Sequence, residues 1–276
     1  MTSSISEGTS SISEGAFRQF QGLMHRVAGI HLAPTKRALI CGRLAKRLRE
    51  RGLANFDAYY RLISGHGEGE ELQLAIDLLT TNETYFFREP QHFDYLAREL
   101  LPQWRGTGTF RVWSAASSTG EEAYSLAMVL MDKLGPDIPW EVFGSDINRQ
   151  VIAHARAATY LSARSEGIAP DYLRRYCLRG TGRMEGKLRI VPALRQRVRF
   201  GALNLNGDLS GAGEFDAIFL RNVMIYFETA TKRRVVERLH RQLKPGGWLF
   251  IGHSETLNGI SEAFQVLRPT IYRKET

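Results

Sequence analysis

The residues best suited to bind a ligand follow a short apolar run that we predict to be a buried strand. Arg221 and Asn222 come directly after the run 217–220, and hydrophobic residues resume at Val223. In open α/β sheets, ligands bind in the crevice beyond the carboxyl ends of the strands. The polar pair therefore indicates a binding or catalytic group, although a plain polar turn after a core strand would give the same pattern.

Two further predicted strands lead into acidic residues. Strand 109–115 is followed by small residues and then by Glu122 near the start of a helix, and strand 140–146 ends in Asp146. Each carboxylate has a purely structural alternative, because acidic side chains favour helix N-termini and aspartate is a common N-cap. In a cofactor crevice, Asp146 would instead accept both hydroxyls of a ribose, and Glu122 would hold a cationic group.

Together these positions predict a nucleoside-like cofactor that carries positive charge. The sequence has no GxGxxG loop and no other recognisable phosphate cradle, which argues against a dinucleotide or ATP. S-adenosylmethionine has a ribose at one end and a sulfonium towards the other, so it fits this set of side chains. Cys41 and Cys177 stand far apart in unrelated contexts, so we expect neither a disulfide nor a metal.

The elements that must position these residues predict an α/β fold. From residue 109 onward, strand-like segments alternate with helical ones, a rhythm typical of a doubly wound, mostly parallel sheet. We predict strands at 109–115, 140–146, 197–203, 215–220, 247–252 and 264–273, and helices at 120–134, 148–156 and 229–243. No helix separates the last two strands, so they should form an antiparallel hairpin at one edge, after a tight turn at 244–247.

The chain divides into three predicted regions. Residues 1–16 contain a tandem Ser- and Gly-rich duplication, which we predict to be a disordered tail. Residues 17–89 show only helical patterning and predict a small helical domain that ends in a linker helix. Residues 90–276 form the sheet domain, with an insertion at about 160–196 whose central part, 176–191, has the pattern of a small hairpin.

The linker segment 80–93 carries polar side chains among bulky aromatic ones. If it is helical, Thr84 and Arg88 are four positions apart and share a face. The alternative is a linker helix whose aromatic side chains pack on the sheet domain while Arg88 stays solvated.

The segment 34–52 concentrates the basic charge of the chain. Its seven Lys and Arg residues are offset only by Glu50. As a helix it would place Ile40, Leu44 and Leu48 on one apolar stripe and Lys36, Arg43, Lys46 and Arg47 on an adjoining face. A solvated amphipathic helix is the ordinary explanation, but this excess of positive charge favours an acidic partner.

Composition limits the function classes. The 276 residues are 43% hydrophobic and carry a formal net charge of +8, which suits nucleic acid, a membrane surface or an acidic protein. No apolar run approaches the roughly 18–20 residues of a membrane span. The N-terminus lacks the layout of a signal peptide, so we expect a cytoplasmic protein without membrane insertion.

These motifs together resemble the chemotaxis receptor methyltransferases of the CheR family. The resemblance rests on TTNETYFFRE, RVWSAASSTGEEAYS, GSDIN, FDAIFLRNVMIYF and LKPGGWLFIGHSE, in that order along nearly the whole chain. It implies a Rossmann-like class I methyltransferase sheet with a helical N-terminal domain and an inserted β-subdomain. The implied reaction transfers methyl from S-adenosylmethionine to glutamate side chains of receptors and leaves S-adenosylhomocysteine.

The resemblance also implies roles for individual residues. The cofactor pocket would comprise Asn82, Thr84, Arg88, Glu122, Asp146, Asn204, Leu205, Arg221 and Asn222. Arg88 and Tyr226 would lie closest to the transferred methyl group and serve catalysis. The receptor's acidic methylation helices would meet Lys36, Arg43, Lys46 and Arg47, and its C-terminal tether peptide would dock on the β-subdomain. We expect a monomer.

Two other function classes stay open at this stage. An RNA or DNA methyltransferase would share the fold and the cofactor, but the sequence has no DPPY-like or NPPY-like motif and no paired catalytic cysteines. A non-catalytic adaptor would bind cofactor and receptor without turnover. His253 resembles a general base, yet a glutamate carboxylate is already ionised at neutral pH and needs none, so we interpret His253 as structural.

Overall fold

The computed structural model describes residues 11–104 and 108–275, and these form two compact units. The first unit runs to Thr81 and includes the short segment Tyr226–Glu228. The second unit comprises Asn82–Ile225 and the chain from Thr229 onward. The division at Thr81 lies eight residues before the predicted boundary at 89.

The first unit is built from helices α1 to α4. They are α1 (Glu14–Ala28), α2 (Arg37–Glu50), α3 (Phe56–Ile63) and α4 (Gly69–Leu79), with a 3₁₀ turn at Pro34–Lys36 before α2. The predicted apolar stripe of α2 is confirmed, because Ile40, Leu44 and Leu48 are all fully buried. An amphipathic helix buries one apolar stripe and carries polar side chains on its other faces, and α2 follows this pattern.

Helix α1 corrects the predicted tail. Ser13 is its N-cap, and the Oγ of Ser13 accepts a hydrogen bond from the backbone N of Ala16 at 3.0 Å. Ile12 and Ala16 are buried. The cap satisfies an otherwise free helix N–H, and the buried side chains anchor the turn. The expected disorder is therefore wrong for residues 12–16, and residues 1–10 lie outside the described part of the chain.

The second unit centres on a mixed sheet. Its strands are β1 (Phe110–Ser114), β2 (Trp140–Asp146), β6 (Val198–Ala202), β7 (Phe215–Leu220), β8 (Leu243–Ile251), β9 (Phe264–Arg268) and β10 (Ile271–Lys274), and a smaller sheet holds β3 (Thr159–Leu161), β4 (Cys177–Arg179) and β5 (Lys187–Ile190). Its helices are α5 (Pro90–Tyr95), α6 (Leu101–Gln103), α7 (Glu121–Leu134), α8 (Arg149–Ala157), α9 (Pro170–Tyr176), α10 (Pro192–Arg195) and α11 (Thr229–Gln242). A π-helical turn, Leu96–Leu100, joins α5 to α6.

The strand order of the main sheet, over the described residues, is β6-β2-β1-β7-β8-β10-β9. The first five of these strands are parallel, and β10 runs antiparallel to both of its neighbours. The chain runs outward from β1 to β6 and then returns to β7 on the other side of β1. This reversal opens a crevice beyond the carboxyl ends of β1 and β7. The predicted doubly wound α/β fold is confirmed.

Two predictions about the last strands of the sheet need revision. The predicted single strand 264–273 is a hairpin of β9 and β10, and Thr270 in its turn has a φ of +67°. The predicted turn at 244–247 is the bulged start of β8, whose register against β7 shifts between Phe215 and Ala217. A Cβ on Gly247 would lie 2.9 Å from the carbonyl O of Lys244, so the bulge needs a residue without a side chain there.

The insertion folds as predicted around its hairpin. Strands β4 and β5 pair antiparallel, with Cys177 opposite Ile190. Strand β3 adds to the other side of β5 and gives the order β3-β5-β4. Sequence reasoning missed β3, since three residues show no readable alternation.

The segment 80–89 is not the predicted linker helix. Phe87 and Glu89 have φ values of +55° and +56°, which interrupt any helix, and α5 begins only at Pro90. Phe86 is buried with its ring centroid 5.0 Å from that of Tyr160, and the backbone N of Phe87 donates to the Oγ of Ser125 at 3.0 Å. These long-range contacts, not helical periodicity, determine the conformation.

No helix of the described residues is long and apolar enough to cross a membrane.

Candidate active site

A buried guanidinium occupies the end of strand β7. The side chain of Arg221 is 1% exposed and donates from Nη1 to Oε2 of Glu122 at 2.8 Å and from Nη2 to Oε2 of Glu89 at 3.0 Å. Its Nη2 also donates to the backbone carbonyl of Arg88. Arg221 therefore ties the end of β7 to the start of α7 and to the segment before α5.

The two carboxylates that face Arg221 differ in acidity. Burial would raise the pKa of Glu89, but the hydrogen bond from Asn222 and the charge of Arg221 outweigh it and lower that pKa to about 2. Burial raises the pKa of Glu122 above its ordinary value despite the nearby Arg221 and a hydrogen bond from the Oγ of Ser114 at 2.7 Å. With both carboxylates ionised, the cluster has one net negative charge, which suits a cationic ligand.

Asn222 completes this end of the crevice in a left-handed conformation, with a φ of +58°. Its Nδ2 donates to Oε1 of Glu89 at 3.1 Å, and its backbone N donates to Oε2 of Glu255 at 3.0 Å. A Cβ on Gly252 would lie 2.6 Å from Nδ2 of Asn222. The end of β8 therefore needs glycine so that Asn222 can adopt this position.

Asp146 lies at the end of β2, as predicted. Its Oδ2 accepts the backbone N–H of Ser118 at 3.0 Å, and its Oδ1 accepts that of Asn148 at 3.0 Å. The Oγ of Ser118 donates to the backbone carbonyl of Asn82 at 2.7 Å. Ser118 thus joins Asn82 to Asp146. The structural alternative was an N-cap, but Asn148 caps α8 with its own Oδ1, which leaves Asp146 outside that role.

The other predicted site residues of the second unit are Thr84, Arg88, Asn204 and Leu205, and each has its own surroundings. Arg88 is partly exposed and donates to the backbone carbonyl of Glu83 at 3.1 Å, while the carbonyl of Thr84 accepts a hydrogen bond from Arg164. Beyond β6, the Oδ1 of Asn204 accepts the backbone N–H of Asn206 at 2.9 Å, and Leu205 is buried. The prediction that Thr84 and Arg88 share a helix face is wrong, since no helix forms there.

The predicted residues of the first unit have separate surroundings. Tyr226 belongs to the short segment of that unit, where its backbone carbonyl accepts the N–H of His31 at 2.8 Å. Lys36 and Lys46 are exposed. Arg43 donates to the carbonyl of Thr80 at 2.7 Å, and Arg47 is held by a buried carboxylate.

Arg47 changes the interpretation of the basic helix. It donates two hydrogen bonds to Glu71, at 2.9 and 2.6 Å, and Glu71 is buried. Arg51 also pairs with Glu71, at 2.7 Å. The inference that only Glu50 offsets the basic run is wrong, because α4 supplies a second carboxylate. The guanidinium of Arg47 is therefore held by a carboxylate of its own unit.

Sequence reasoning missed three participants in the crevice: Glu89, Ser118 and Ser114. Glu89 directly follows Arg88, and its charge in an aromatic segment was an available signal. Ser118 could not be identified from the sequence, because its contact depends on its backbone conformation. A φ of +48° turns its backbone N–H towards Asp146. Only the tertiary arrangement reveals such contacts.

The residues present fit S-adenosylmethionine. The Oγ of Ser117, in the loop after β1, is buried without a hydrogen-bond partner among the described residues. A buried hydroxyl of this kind is costly unless a ligand satisfies it. The carboxylates of Glu122 after β1, Asp146 at the end of β2 and Glu89 before α5 suit ribose hydroxyls and a cation, not phosphates.

This sheet, with its antiparallel last hairpin and an acidic residue at the end of β2, defines the class I S-adenosylmethionine-dependent methyltransferases. The family model described as "CheR methyltransferase, all-alpha domain" matches residues 15–80, and that described as "CheR methyltransferase, SAM binding domain" matches residues 82–273. The chain belongs to the CheR methyltransferase family, as its motifs predicted. It is an S-adenosylmethionine-dependent methyltransferase of chemotaxis.

Curated relatives agree along nearly the whole length of the chain. A chemotaxis protein methyltransferase of Escherichia coli K12 is 42% identical over 284 residues, covering 99% of this chain and 98% of the relative. One of Salmonella typhimurium is 41% identical with the same coverage. Chemotaxis protein methyltransferase 2 of Pseudomonas aeruginosa is 43% identical over 258 residues, covering 93% of this chain and 91% of the relative.

Proposed function

We propose that this protein methylates glutamate side chains of chemotaxis receptors in the cytoplasm and acts as a monomer. The observation that carries the proposal is the cluster of Arg221, Glu122, Glu89 and Asn222 at the switch point of a CheR chain. The products are a glutamate methyl ester and S-adenosylhomocysteine.

The cofactor would be held by residues at the carboxyl ends of the parallel strands. Asp146 would accept the ribose hydroxyls, and Asn204 and Leu205 would flank the adenine. Asn82, Thr84, Glu122, Arg221 and Asn222 would complete the pocket. When bound, S-adenosylmethionine would supply an electrophilic methyl carbon for a receptor carboxylate oxygen, with S-adenosylhomocysteine as the leaving group.

The chain's own contribution to the reaction is orientation. A receptor glutamate is ionised at neutral pH, so no general base is needed. Alignment of two reactants accounts for roughly 7–11 kcal/mol in favourable intramolecular cases. Arg88 is suited to this role because Arg221 anchors its backbone carbonyl while its own side chain is partly exposed. We assign Arg88 to orient the substrate carboxylate and Tyr226 to position the reacting atoms.

The reaction can be tested by transfer of labelled methyl from S-adenosylmethionine to receptor cytoplasmic fragments, followed by mild alkali. Methyl esters release volatile methanol under these conditions, whereas methylated amines and nucleobases keep the label. Alkali-labile label on glutamates is the expected result. Stable label, or label on added RNA, would refute the proposed acceptor. Cofactor binding without any transfer would support a non-catalytic adaptor.

The role of Arg88 can be tested by Arg88→Ala, with Arg98→Ala as the control. Hydrogen bonds to charged groups contribute roughly 1.5–3 kcal/mol, so turnover should fall about 10- to 100-fold in Arg88→Ala while most of the cofactor affinity remains. Arg98 is an exposed arginine on the nearby π-helical turn, and its replacement should leave turnover unchanged. Equal turnover in the two variants would remove Arg88 from the mechanism.

The receptor surface would include Lys36, Arg43 and Lys46 on and before α2. Lys46→Glu should lower the rate of receptor methylation at low salt, since long-range attraction between exposed charges is screened by ions. The control is Arg61→Glu, a charge reversal at an exposed residue of α3. An equal effect of both variants would indicate a general dependence on net charge, with no specific surface on α2.

The tether peptide of the receptor would dock on the smaller sheet. Strand β4 is an edge of that sheet, and Leu178 on it is half exposed. An edge strand offers unpaired backbone groups to an extended peptide. Calorimetry with receptor C-terminal peptides should detect binding. An active enzyme that binds no such peptide would show that receptor recognition does not use this sheet.

A further inference from the structure

Three potential metal ligands meet beside the crevice: Glu89, His92 and His253. The Oε2 of Glu89 is 3.6 Å from Nδ1 of His92 and 3.9 Å from Nε2 of His253. One ligand atom from each of the three residues lies within 4.8 Å of the other two. All three belong to the second unit.

Hydrogen bonding fixes the tautomer of His92. The hydroxyl of Thr270 donates to the backbone carbonyl of Pro269, so its oxygen is left to accept. The Nε2 of His92 lies 2.8 Å from that oxygen and is therefore the protonated nitrogen. The lone pair on Nδ1 then faces the cluster. His92 is 1% exposed, and its Nδ1 has no hydrogen-bond partner among the described residues.

This arrangement places two acceptors against each other. A lone pair on a buried imidazole nitrogen faces Oε2 of Glu89, which accepts from Arg221, while Asn222 holds the other oxygen of the same carboxylate. Two acceptors at this distance repel unless a cation lies between them, and a buried polar atom without a partner costs free energy. The geometry therefore calls for a cation.

We propose that Oε2 of Glu89, Nδ1 of His92 and Nε2 of His253 form a binding site for a divalent transition metal, with Zn²⁺ as the best match. Two imidazole nitrogens and one carboxylate oxygen are ligands that Zn²⁺ prefers. Tetrahedral coordination at about 2.0–2.2 Å requires ligand atoms about 3.4 Å apart. The separations of 3.6 and 3.9 Å from Oε2 of Glu89 are close to that value.

The surroundings of the cluster support such a site. Thr270 orients His92 through its other ring nitrogen, and Asn222 orients Glu89, as outer-shell groups do in metal sites. His253 is 46% exposed, which opens the site to incoming ions and leaves a coordination position for water. Arg221 competes for Oε2 of Glu89, so we expect weaker binding than at a site whose carboxylate has no such partner.

The first unit contains a pair of histidines around Glu228 that serves as an internal comparison. His25 Nε2 lies 3.3 Å from one oxygen of Glu228, and His31 Nδ1 lies 3.1 Å from the other. These side chains are about half exposed, and one ring nitrogen of each already lies within hydrogen-bonding distance of the carboxylate. Because they have no buried orphaned lone pair, they should contribute little to metal binding.

Titration of metal-free, tag-free full-length protein with ZnCl₂ in a calorimeter tests the proposal. We expect one Zn²⁺ per chain, and at least tenfold weaker binding in His253→Ala, whose exposed side chain can be removed without disturbing the core. His31→Ala should bind as the wild type does. Absence of binding, or a loss in His31→Ala but not in His253→Ala, would overturn the proposal.

Spectroscopy with Co²⁺ gives a second readout. Cobalt bound to two imidazoles and a carboxylate should show visible absorption, which His92→Gln and His253→Ala should each abolish. Thermal unfolding of His92→Gln would report any misfolding of that variant, and the result for His253→Ala stands independently of it. An unchanged Co²⁺ spectrum in His253→Ala would exclude this ligand set.

Discussion

Replacing Glu71 by glutamine should destabilise the helical unit selectively. Glu71 is buried and receives hydrogen bonds from both Nε and Nη2 of Arg47, at 2.9 and 2.6 Å, from Nε of Arg51 at 2.9 Å and from the hydroxyl of Tyr59 at 2.8 Å. These partners come from α2, the turn after it and α3. One carboxylate on α4 therefore joins three elements of the unit.

The magnitude follows from the acidity of the carboxyl. The hydrogen bonds from Arg47 are the largest cause of a pKa of Glu71 that is lowered from 4.5 to about 2, against the opposing effect of burial. A pKa lowered by that amount corresponds to about 3 kcal/mol of stability at neutral pH. Removing one partner of a buried ion pair costs roughly 3–5 kcal/mol. We therefore expect Glu71→Gln to lose about 3 kcal/mol.

The assay must distinguish the two units of the full-length chain. All four tryptophans, Trp104, Trp113, Trp140 and Trp248, lie in the second unit, so their fluorescence does not follow the helical unit. Hydrogen exchange of the amides of α2 and α4, measured by mass spectrometry at pH 7, should speed up by about 100-fold in Glu71→Gln. The control, Arg61→Gln, changes an exposed side chain of α3 and should stay within about 0.5 kcal/mol of wild type.

The pH dependence of this effect has a definite sign. Because folding lowers the pKa of Glu71, its contribution is present above about pH 4.5 and is lost as the pH falls towards 2. The difference between wild type and Glu71→Gln should shrink over that interval. Equal exchange in Glu71→Gln and Arg61→Gln at pH 7 would refute the claim that this carboxylate holds the unit together.

Three further predictions concern the second unit. A Cβ on Gly167 would lie 2.1 Å from the backbone O of Phe86, so Gly167→Ala should lower the free energy of unfolding in urea by about 1–3 kcal/mol. The control is Gly211→Ala, whose Cβ would meet nothing within 4 Å and which should leave that free energy unchanged. Asp146→Asn should weaken S-adenosylhomocysteine binding about 10- to 100-fold in calorimetry while its circular dichroism spectrum stays unchanged; equal affinity would remove Asp146 from the ribose site. Burial raises the pKa of Cys177 to about 11, so its alkylation, followed by mass spectrometry, should accelerate about tenfold per pH unit from pH 8 to 10; a plateau near pH 9 would contradict this environment.

The sequence by itself determined the sheet and the residues at its carboxyl ends. Buried parallel strands read as continuous apolar runs, and a polar residue that ends such a run is conspicuous. This is why local sequence patterns are enough to locate Arg221, Asn222 and Asp146 at the ends of their strands. The apolar stripe of α2 could also be predicted from the sequence, since helical periodicity is a local property.

The tertiary structure alone decided how the segment before α5 is shaped and what it touches. The left-handed residues Phe87 and Glu89 have no sequence signal, because neither residue type favours that conformation. Glu89 adopts it while hydrogen-bonding with Arg221 and Asn222, more than a hundred residues away. Contacts between residues so distant in the chain depend on the three-dimensional path of the backbone, and local patterns carry no information about that path.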